Sequence, residues 1–280
     1  MSIISWPAPA KLNLFLHVLG RRPDGYHQLQ TVFQFLDYGD ELSFELRPDG
    51  LITRPEGAAD VPAATDLVVR AAQALQVATG STQGADIRVL KRTPMGAGLG
   101  GGSSDAATTL VALNHLWGLG LSVDRLAAIG LKLGADVPVF VQGFAAWAEG
   151  VGETLTPVTL PEPWYAVIAP DVLVSTAAIF SAPELRRDHA PITLDDYQHG
   201  AGINDCAPVT CARYPEVAAA LGWLSRAAPA RMSGTGGAVF AAFADQRAAR
   251  AAIEGIPKNW RGFVARGLNL SPLVAIIRAL

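Results

Sequence analysis

Pro94-Met95-Gly96-Ala97-Gly98-Leu99-Gly100-Gly101-Gly102-Ser103-Ser104-Asp105-Ala106-Ala107 is the stretch that decides how this chain is read. Before it, Ile87 to Leu90 reads as a short strand; after it, an Ala/Leu-rich run reads as a helix ending near Gly118. Glycines let the backbone approach an anion closely with its N–H groups turned inward. The start of the following helix adds unpaired N–H donors and the positive end of its dipole. Two serine hydroxyls there can bond phosphate oxygens or a metal ion. Ser103-Ser104-Asp105 is expected to cap the helix, with the Asp105 side chain outward, where a first-turn acid suits the dipole.

Three readings of the loop compete. Gly96, Gly98 and Gly101 satisfy G-x-G-x-x-G, the mark of a dinucleotide fold, but the loop lies mid-chain and Asp124 begins a helix rather than ending a second strand. A P-loop fails because Gly102, not Lys, precedes Ser103. A plain structural turn has little need of glycine at 96, 98, 100, 101 and 102 followed by a helix start. A phosphate cradle of another type is favoured.

Outward from the loop, Leu12 to Val18 alternates like a half-buried strand, and Arg21-Arg22-Pro23-Asp24-Gly25 reads as a turn. Thr31 to Leu36 and Glu41 to Leu46 read as two further strands. A helix is expected from Thr65-Asp66 to about Val77, stopped near Gly80, and another from Val123 to Leu133, started by Ser122 and closed by Gly134. Val137 to Val141 and Ala145 to Ala148 look extended. Leu155 to Pro163 carries three prolines and marks the expected domain boundary. Beyond it come strands at Tyr165 to Ala169, Val239 to Phe243 and Gly262 to Arg266, and helices at Ala177 to Leu185, Pro215 to Arg226 and Gln246 to Glu254. A second glycine turn spans Gly234 to Gly237. The class is α+β in two parts, residues 1–157 and 158–280.

Composition narrows the rest. The 280 residues are half hydrophobic and carry a formal charge of −3, which excludes the basic face of a nucleic-acid-binding protein. The start, with Ile3-Ile4-Ser5-Trp6, lacks the pattern of a secretory signal, and no run of about eighteen apolar residues is free of charge, Gly and Pro. A cytoplasmic address without a membrane partner is expected. Cys206 and Cys211 are too few for a disulfide framework and lack flanking ligands for zinc; buried, unreactive thiols are expected.

Two charges stand in apolar surroundings: Lys11 in Pro7-Ala8-Pro9-Ala10-Lys11-Leu12-Asn13-Leu14, and Asp136 in Leu133-Gly134-Ala135-Asp136-Val137-Pro138-Val139. Alone, Lys11 reads as an edge-strand charge and Asp136 as a loop carboxylate bonding backbone N–H groups. Asn13, two residues beyond Lys11, shares its strand face. Tyr26-His27 pair an aromatic ring with an imidazole at a loop-to-strand junction, which suits either base recognition or ordinary turn packing.

These segments together resemble the GHMP kinases (galactokinase, homoserine kinase, mevalonate kinase and phosphomevalonate kinase), and the resemblance runs from Pro7 to the C-terminal region. It implies a two-domain α+β fold with a deep cleft between the domains. The long Gly-Leu-Gly-Gly-Gly-Ser-Ser form is similar to that of a branch acting in the non-mevalonate route to isoprenoids. There ATP, with Mg2+, phosphorylates the 2-hydroxyl of a cytidine diphosphate derivative of methylerythritol. By that resemblance Lys11 and Asp136 are the catalytic pair. Pro94 to Ser104, Lys91 and Asp66 receive ATP. Asn13, Tyr26, His27, Phe180, Thr176, Gly234, Thr235 and Gly236 receive the acceptor, with Phe180 on the far face of the cytosine. Met232 to Gly237 matches the third motif of the family, and Asn204-Asp205-Cys206 fits the branch without a role. No dedicated metal cage is implied; magnesium would come with ATP near Ser104 and Asp136. Gln142 and Phe144 stand where some members carry Arg and His. A monomer or weak homodimer is expected. Alternatives are a GHMP kinase of homoserine or mevalonate type, or a catalytically silent metabolite sensor of the same fold.

Overall fold

The computed structural model describes residues 5–59 and 61–279, so Ile3 and Ile4 lie outside the described residues. Strand β1 (Trp6–Arg21) runs antiparallel to the long β2 (His27–Arg47), which the sequence divides in two at Asp37 but the backbone carries through unbroken. The β1–β2 register shifts between Pro9 and Lys11 and again between Asn13 and Leu16. Such irregularities re-aim side chains, and here they flank Lys11 and Asn13. After β3 (Ile52–Glu56), helix α1 (Leu67–Thr79) begins at Asp66, whose side chain accepts the Val68 N–H, and ends at a left-handed Gly80. Strand β4 (Gly84–Leu90) then delivers the chain to the glycine loop.

Helix α2 (Gly101–Leu116) starts two residues earlier than expected, with Gly100 at its N-cap and no capping side chain. Helix α3 (Val123–Leu131) is capped by Ser122, as its sequence predicts. The stretch after it is a correction. Val137 to Val141 is not extended but forms helix α4 (Val137–Gln142), with Pro138 in the first turn and a left-handed Gly143 at the end. A first-turn proline needs no N–H partner, so the stop and start signals outweigh the β-branched run between them. Strands β5 (Ala146–Gly150), β6 (Thr154–Pro157) and β7 (Trp164–Ala169) follow.

The remaining elements are α5 (Thr176–Phe180), α6 (Leu194–Gln198), α7 (Ala207–Arg213), α8 (Pro215–Ser225), β8 (Ala230–Met232), β9 (Val239–Phe243), α9 (Gln246–Ala252), β10 (Arg261–Leu268) and α10 (Pro272–Ala279). The expected helix over Ala177 to Leu185 is therefore a single short turn. The hydrogen-bonded path is β3-β4-β2-β10-β7-β9-β8, with β1 and β5 on β2 and β6 on β5. Strand β10 joins the halves, pairing Gly267 and Leu268 with Leu36 and Phe35 and the rest of its length with β7.

Three apolar clusters hold this together. One packs α1, α2, α3 and α4 on β2 and β4, and Leu273 of α10 returns to it. A second lies around β7, α8 and β9. The third fastens the halves to each other, bringing Leu12, Phe15 and Leu36 against Val167, Phe240 and Ala265, with Ala97 and Leu99 of the glycine loop among them. The loop is thus anchored in core by alternate residues while its glycines stay at the surface of that core.

Candidate active site

Lys11 leaves β1 into the space beneath the glycine loop and is 3% exposed. Its ammonium meets Asn13 Oδ1 at 2.5 Å, the Gly98 carbonyl at 3.1 Å and Asp136 Oδ2 at 3.2 Å, with the Phe33 ring 5.2 Å away. An ammonium has three N–H donors, and these acceptors engage all of them. Asp136 sits at the N-cap position of α4, yet its side chain caps nothing. That leaves a carboxylate side chain 34% exposed against an almost sealed lysine. Asn13 is committed to the protein: its amide nitrogen donates to Thr31 Oγ1 at 3.0 Å, so both ends of the side chain are engaged.

The glycine loop is tied down at three successive residues. Lys11 N–H donates to Leu99 O at 2.9 Å, Ala238 N–H to Ala97 O at 2.8 Å, and the Ser233 hydroxyl to Gly98 O at 2.9 Å. At Gly98, φ is +72°, and a Cβ would lie 2.3 Å from the Ser233 carbonyl. Glycine is needed there so that the second glycine turn can press against the first.

A cavity of about 410 Å³ runs from this point along Pro94 to Ser103 to Asp66, Leu67 and Lys91. Met95 is half exposed on its rim. The N-terminus of α2 opens into it through Gly100, Gly101, Gly102 and Ser103. Ser104 does not line it; its hydroxyl is fully buried and unpartnered among the described residues. Asp66 caps α1 and pairs with Arg54 at 3.1 Å, which anchors that wall.

Asp105 is a second correction. Its side chain does not point outward; it is buried and meets Lys91 Nζ at 2.7 Å, while Lys91 also meets the buried Asp40 at 2.5 Å. Asp40 accepts the backbone N–H groups of Arg92 and Thr93, fixing the entrance to the loop. Burial pushes the Asp105 carboxyl up to about 7; Lys91 opposes the shift and Asp40 adds to it.

A second cavity, of about 280 Å³, lies on the other side of Asp136. Lys11, Asn13 and Thr31 form its floor, and Thr176, Phe180, Gly234 and Thr235 close it from the C-terminal half. Thr176 and Thr235 join hydroxyls at 3.0 Å. Gly236 is not part of the lining and packs instead against Thr210 and Met232. Asn204, read from sequence without a role, donates to Met232 O and Gly234 O at 2.8 Å each and so shapes the second glycine turn. Asp205 accepts the Val18 N–H and pairs with His189.

His27 and Phe180 are brought together directly, stacked with centroids 5.0 Å apart and planes at 22°. Tyr26 is 64% exposed beside them, after a turn in which Asp24 accepts its N–H. A base cannot enter between His27 and Phe180 as they stand, since aromatic planes already in contact leave no layer free. The open faces for stacking belong to Phe180 on its cavity side and to Tyr26. Gln142 pairs with Asp124 and Phe144 bridges to Leu270; neither reaches the two cavities. Cys206 is buried, its thiol pushed up to about 12 by burial, and Cys211 is half-buried.

Two residues escaped sequence reading. Ser233 reads as one residue of a turn, and nothing in Met232-Ser233-Gly234 marks its hydroxyl as the tie between the loops. Arg187, in the charged run Arg186-Arg187-Asp188, reads as surface but donates to His27 Nε2 at 3.1 Å.

A family model described as the GHMP kinases N terminal domain matches residues 66–144, and one described as GHMP kinases C terminal matches 185–262. The chain is 59% identical over 273 residues to the 4-diphosphocytidyl-2-C-methyl-D-erythritol kinase of Alkalilimnicola ehrlichii, covering 98% of this chain and 94% of that one. To the enzyme of the same name from Nitrosococcus oceani it is 57% identical over 272 residues, covering 97% of each. A crystal structure of 4-(cytidine 5'-diphospho)-2C-methyl-D-erythritol kinase superposes with a TM-score of 0.82 at 34% identity, over 94% of this chain and 99% of that one.

Proposed function

The chain belongs to the GHMP kinase family, and from that premise we propose that it transfers the γ-phosphoryl group of ATP to the 2-hydroxyl of 4-diphosphocytidyl-2-C-methyl-D-erythritol. The products are the 2-phosphate and ADP, in the non-mevalonate route to isoprenoid precursors. One observation carries the reading. Asp136, Gly98, Ser103 and Thr176 line both cavities, so the Lys11–Asp136 pair stands where a phosphate held by the glycine loop would meet an acceptor hydroxyl.

Phosphoryl transfer asks the protein chiefly for alignment and charge stabilisation. Pro94 to Ser103 and the α2 N-terminus receive the triphosphate, with Asp66 and Lys91 forming the far wall; Lys91 acts there through its two carboxylates rather than as a free cation. Asp136 accepts the proton of the acceptor hydroxyl, or its hydrogen bond, and so raises the nucleophilicity of that oxygen. Lys11 pairs with Asp136 at 3.2 Å and places a positive charge beside the transferring group. To touch the γ-phosphate it must exchange one of its three present acceptors, and of the two uncharged ones the Gly98 carbonyl is the more distant. Thr176, Thr235 and Gly234 flank the acceptor; Phe180 and Tyr26 offer faces to the base, and His27 stands behind Phe180. Asn13 acts by holding Lys11, and Gly236 by letting the second glycine turn pack.

Among the described residues no group of three or more His, Cys, Asp or Glu side chains converges as a metal cage. The residues fit magnesium carried in on ATP, since that ion keeps phosphate and water ligands and needs only one or two protein oxygens. Asp136 and the hydroxyl of Ser103, or the unpartnered Ser104 hydroxyl, would supply them. The ion would neutralise phosphate charge. No described helix is long and apolar enough to cross a membrane; a cytoplasmic monomer or weak homodimer, divided near Pro157 into two domains, completes the proposal.

The test is ADP formation that depends on the diphosphocytidyl acceptor, with Asp136→Asn as its control. Asp136→Asn should bind ATP normally and lose turnover by about two to four orders of magnitude. Phosphorylation of homoserine or mevalonate in place of the cytidine compound, or no turnover at all by the wild type, would overturn the assignment.

A further inference from the structure

A third cavity, of about 640 Å³, is larger than either cavity of the candidate active site and shares no residue with them. It is enclosed by the last turns of α2, the start of α3, the end of α4 and one side of α10. Val111, Leu126, Val141, Leu273 and Val274 make its walls, and the exposed Val123 and Ile277 extend the apolar lining to the surface. The α10 wall is fixed at its base. Ser271 N–H donates to Gly143 O at 2.9 Å, and a Cβ on Gly143 would lie 2.5 Å from Val274 Cγ2.

Polar groups in the lining are few, and most are spent. The Asn114 side chain donates to Leu121 O at 3.1 Å and accepts the Leu121 N–H at 2.9 Å. Gln142 donates to Asp124 at 3.2 Å, and Asp124 itself does not line the cavity. His115 and Arg278 are the ionisable side chains of the lining; no Asp or Glu is among the described residues that form it.

We propose that this cavity is a regulatory site for a small amphipathic anion, a medium-length aliphatic chain ending in a phosphate, and that the phosphate loop reads its occupancy through Phe140. Concave, largely apolar cavities of this size with a few placed polar groups are the usual form of a small-molecule site. An apolar body suits walls that offer it no hydrogen bond, and its burial drives binding. A phosphate suits Arg278, whose planar guanidinium can donate to two oxygens at once. A cationic head would meet only basic side chains.

The path to the catalytic pair is short. Phe140 lines the cavity, is buried, and also packs on the phosphate loop: a Cβ on Gly100 would lie 2.7 and 2.9 Å from its ring and 3.0 Å from Cε of Lys11. Helix α4 ends at the cavity and has Asp136 at its N-cap, about 9 Å away at 1.5 Å per residue. A close-packed interior passes a displacement on instead of absorbing it. A ligand that fills the cavity therefore presses Phe140 on Gly100, shifts Lys11 against Asp136, and slows turnover.

The experiment uses the full chain, decyl phosphate as probe, and two readouts. Calorimetry should show one decyl phosphate bound per chain, with a rise in Tm. Decanol should bind about tenfold more weakly, the worth of one charged hydrogen bond, and decylamine not at all. Arg278→Gln should reduce decyl phosphate to the affinity of decanol. Val123→Trp, at an exposed position, should close the cavity and abolish binding. In the kinase assay, saturating decyl phosphate should lower wild-type kcat about fivefold or more without competing with ATP. Phe140→Leu should still bind it and lose most of that inhibition relative to its own basal rate. No binding by the wild type, or binding that neither Arg278→Gln nor Val123→Trp weakens, would overturn the site. Dimerisation abolished by Val123→Trp would make the cavity an interface between copies instead. Binding there with kcat unchanged would overturn the coupling through Phe140. Calorimetry needs no turnover, so failure of the kinase reading and failure of the site are told apart.

Discussion

The hydroxyl of Ser233 donates to the carbonyl oxygen of Gly98 at 2.9 Å and on its other side accepts the N–H of Asn13 at 3.1 Å. One fully buried oxygen therefore joins the second glycine turn, the phosphate loop and the strand that carries Lys11. Ser233→Ala leaves the Asn13 N–H buried without a partner, at a cost of about 1–3 kcal/mol. It also frees Gly98, against which Lys11 is braced. Turnover should fall about tenfold or more, with a lower Tm, because positioning errors at the reacting groups are amplified in rate. Steady-state kinetics beside thermal melts would check this; a variant that melts early yet turns over normally would show that the tie serves folding only.

Lys11→Met removes the ammonium and leaves the Asp136 carboxylate facing a methyl group. The glycine loop keeps its three ties, through Ala97, Gly98 and Leu99. ATP affinity should therefore stay within a few-fold of wild type while kcat drops by about two to three orders of magnitude, the usual loss on deleting an electrostatic partner of the transition state. Equilibrium binding of a non-hydrolysable ATP analogue separates the two quantities. A loss of binding equal to the loss of rate would place Lys11 in nucleotide affinity instead.

Much of this candidate site was legible in the sequence, its glycine loop for local reasons and its charged pair through the family resemblance. Gly96 to Ser104 announced its chemistry through backbone freedom and a helix start, and Lys11 and Asp136 stood out as charges in apolar runs. What escaped depends on pairing across long separations. Asp105 reads as a surface acid until Lys91 and Asp40, on other elements, are folded against it. Ser233 and Arg187 act through partners 135 and 160 residues away. Val137 to Val141 has the composition of a strand, and only Pro138 in its first turn and the left-handed Gly143 after it make it a helix.

Asp105 offers a pH test with a definite sign. Its carboxyl titrates near 7 in the fold and near 4 in an unfolded chain. Between those values the folded protein holds a proton that the unfolded chain releases, so this group's contribution to stability falls as pH rises through the window. Asparagine keeps the shape and cannot ionise. The Tm of Asp105→Asn minus that of wild type should climb from about pH 4 to about pH 7 and level off above it. A difference that stays flat across that range would mean that Lys91 holds Asp105 ionised throughout.

Gly100 and Gly102 stand two residues apart in the same loop, and adding one methyl group to each should have opposite effects. Gly100 is left-handed at φ +72°, and a Cβ there would lie 2.7 Å from the Phe140 ring and 3.0 Å from Cε of Lys11. The backbone alone costs about 1–2 kcal/mol for an L-residue in that region, and the methyl would push Lys11 off Asp136. Gly100→Ala should therefore lower both Tm and kcat. Gly102 is helical, within α2, and its nearest neighbour would be Leu67 Cδ1 at 3.6 Å, an ordinary contact. Alanine there should raise helix stability by roughly 0.5–1 kcal/mol, with its only penalty a higher KM for ATP where the methyl meets a phosphate. Thermal melts with kinetics on both variants test the pair. Equal destabilisation by the two would mean that the loop's glycines serve the fold alone; equal tolerance would mean that Phe140 and Lys11 yield to Gly100→Ala and that the close packing there is not needed.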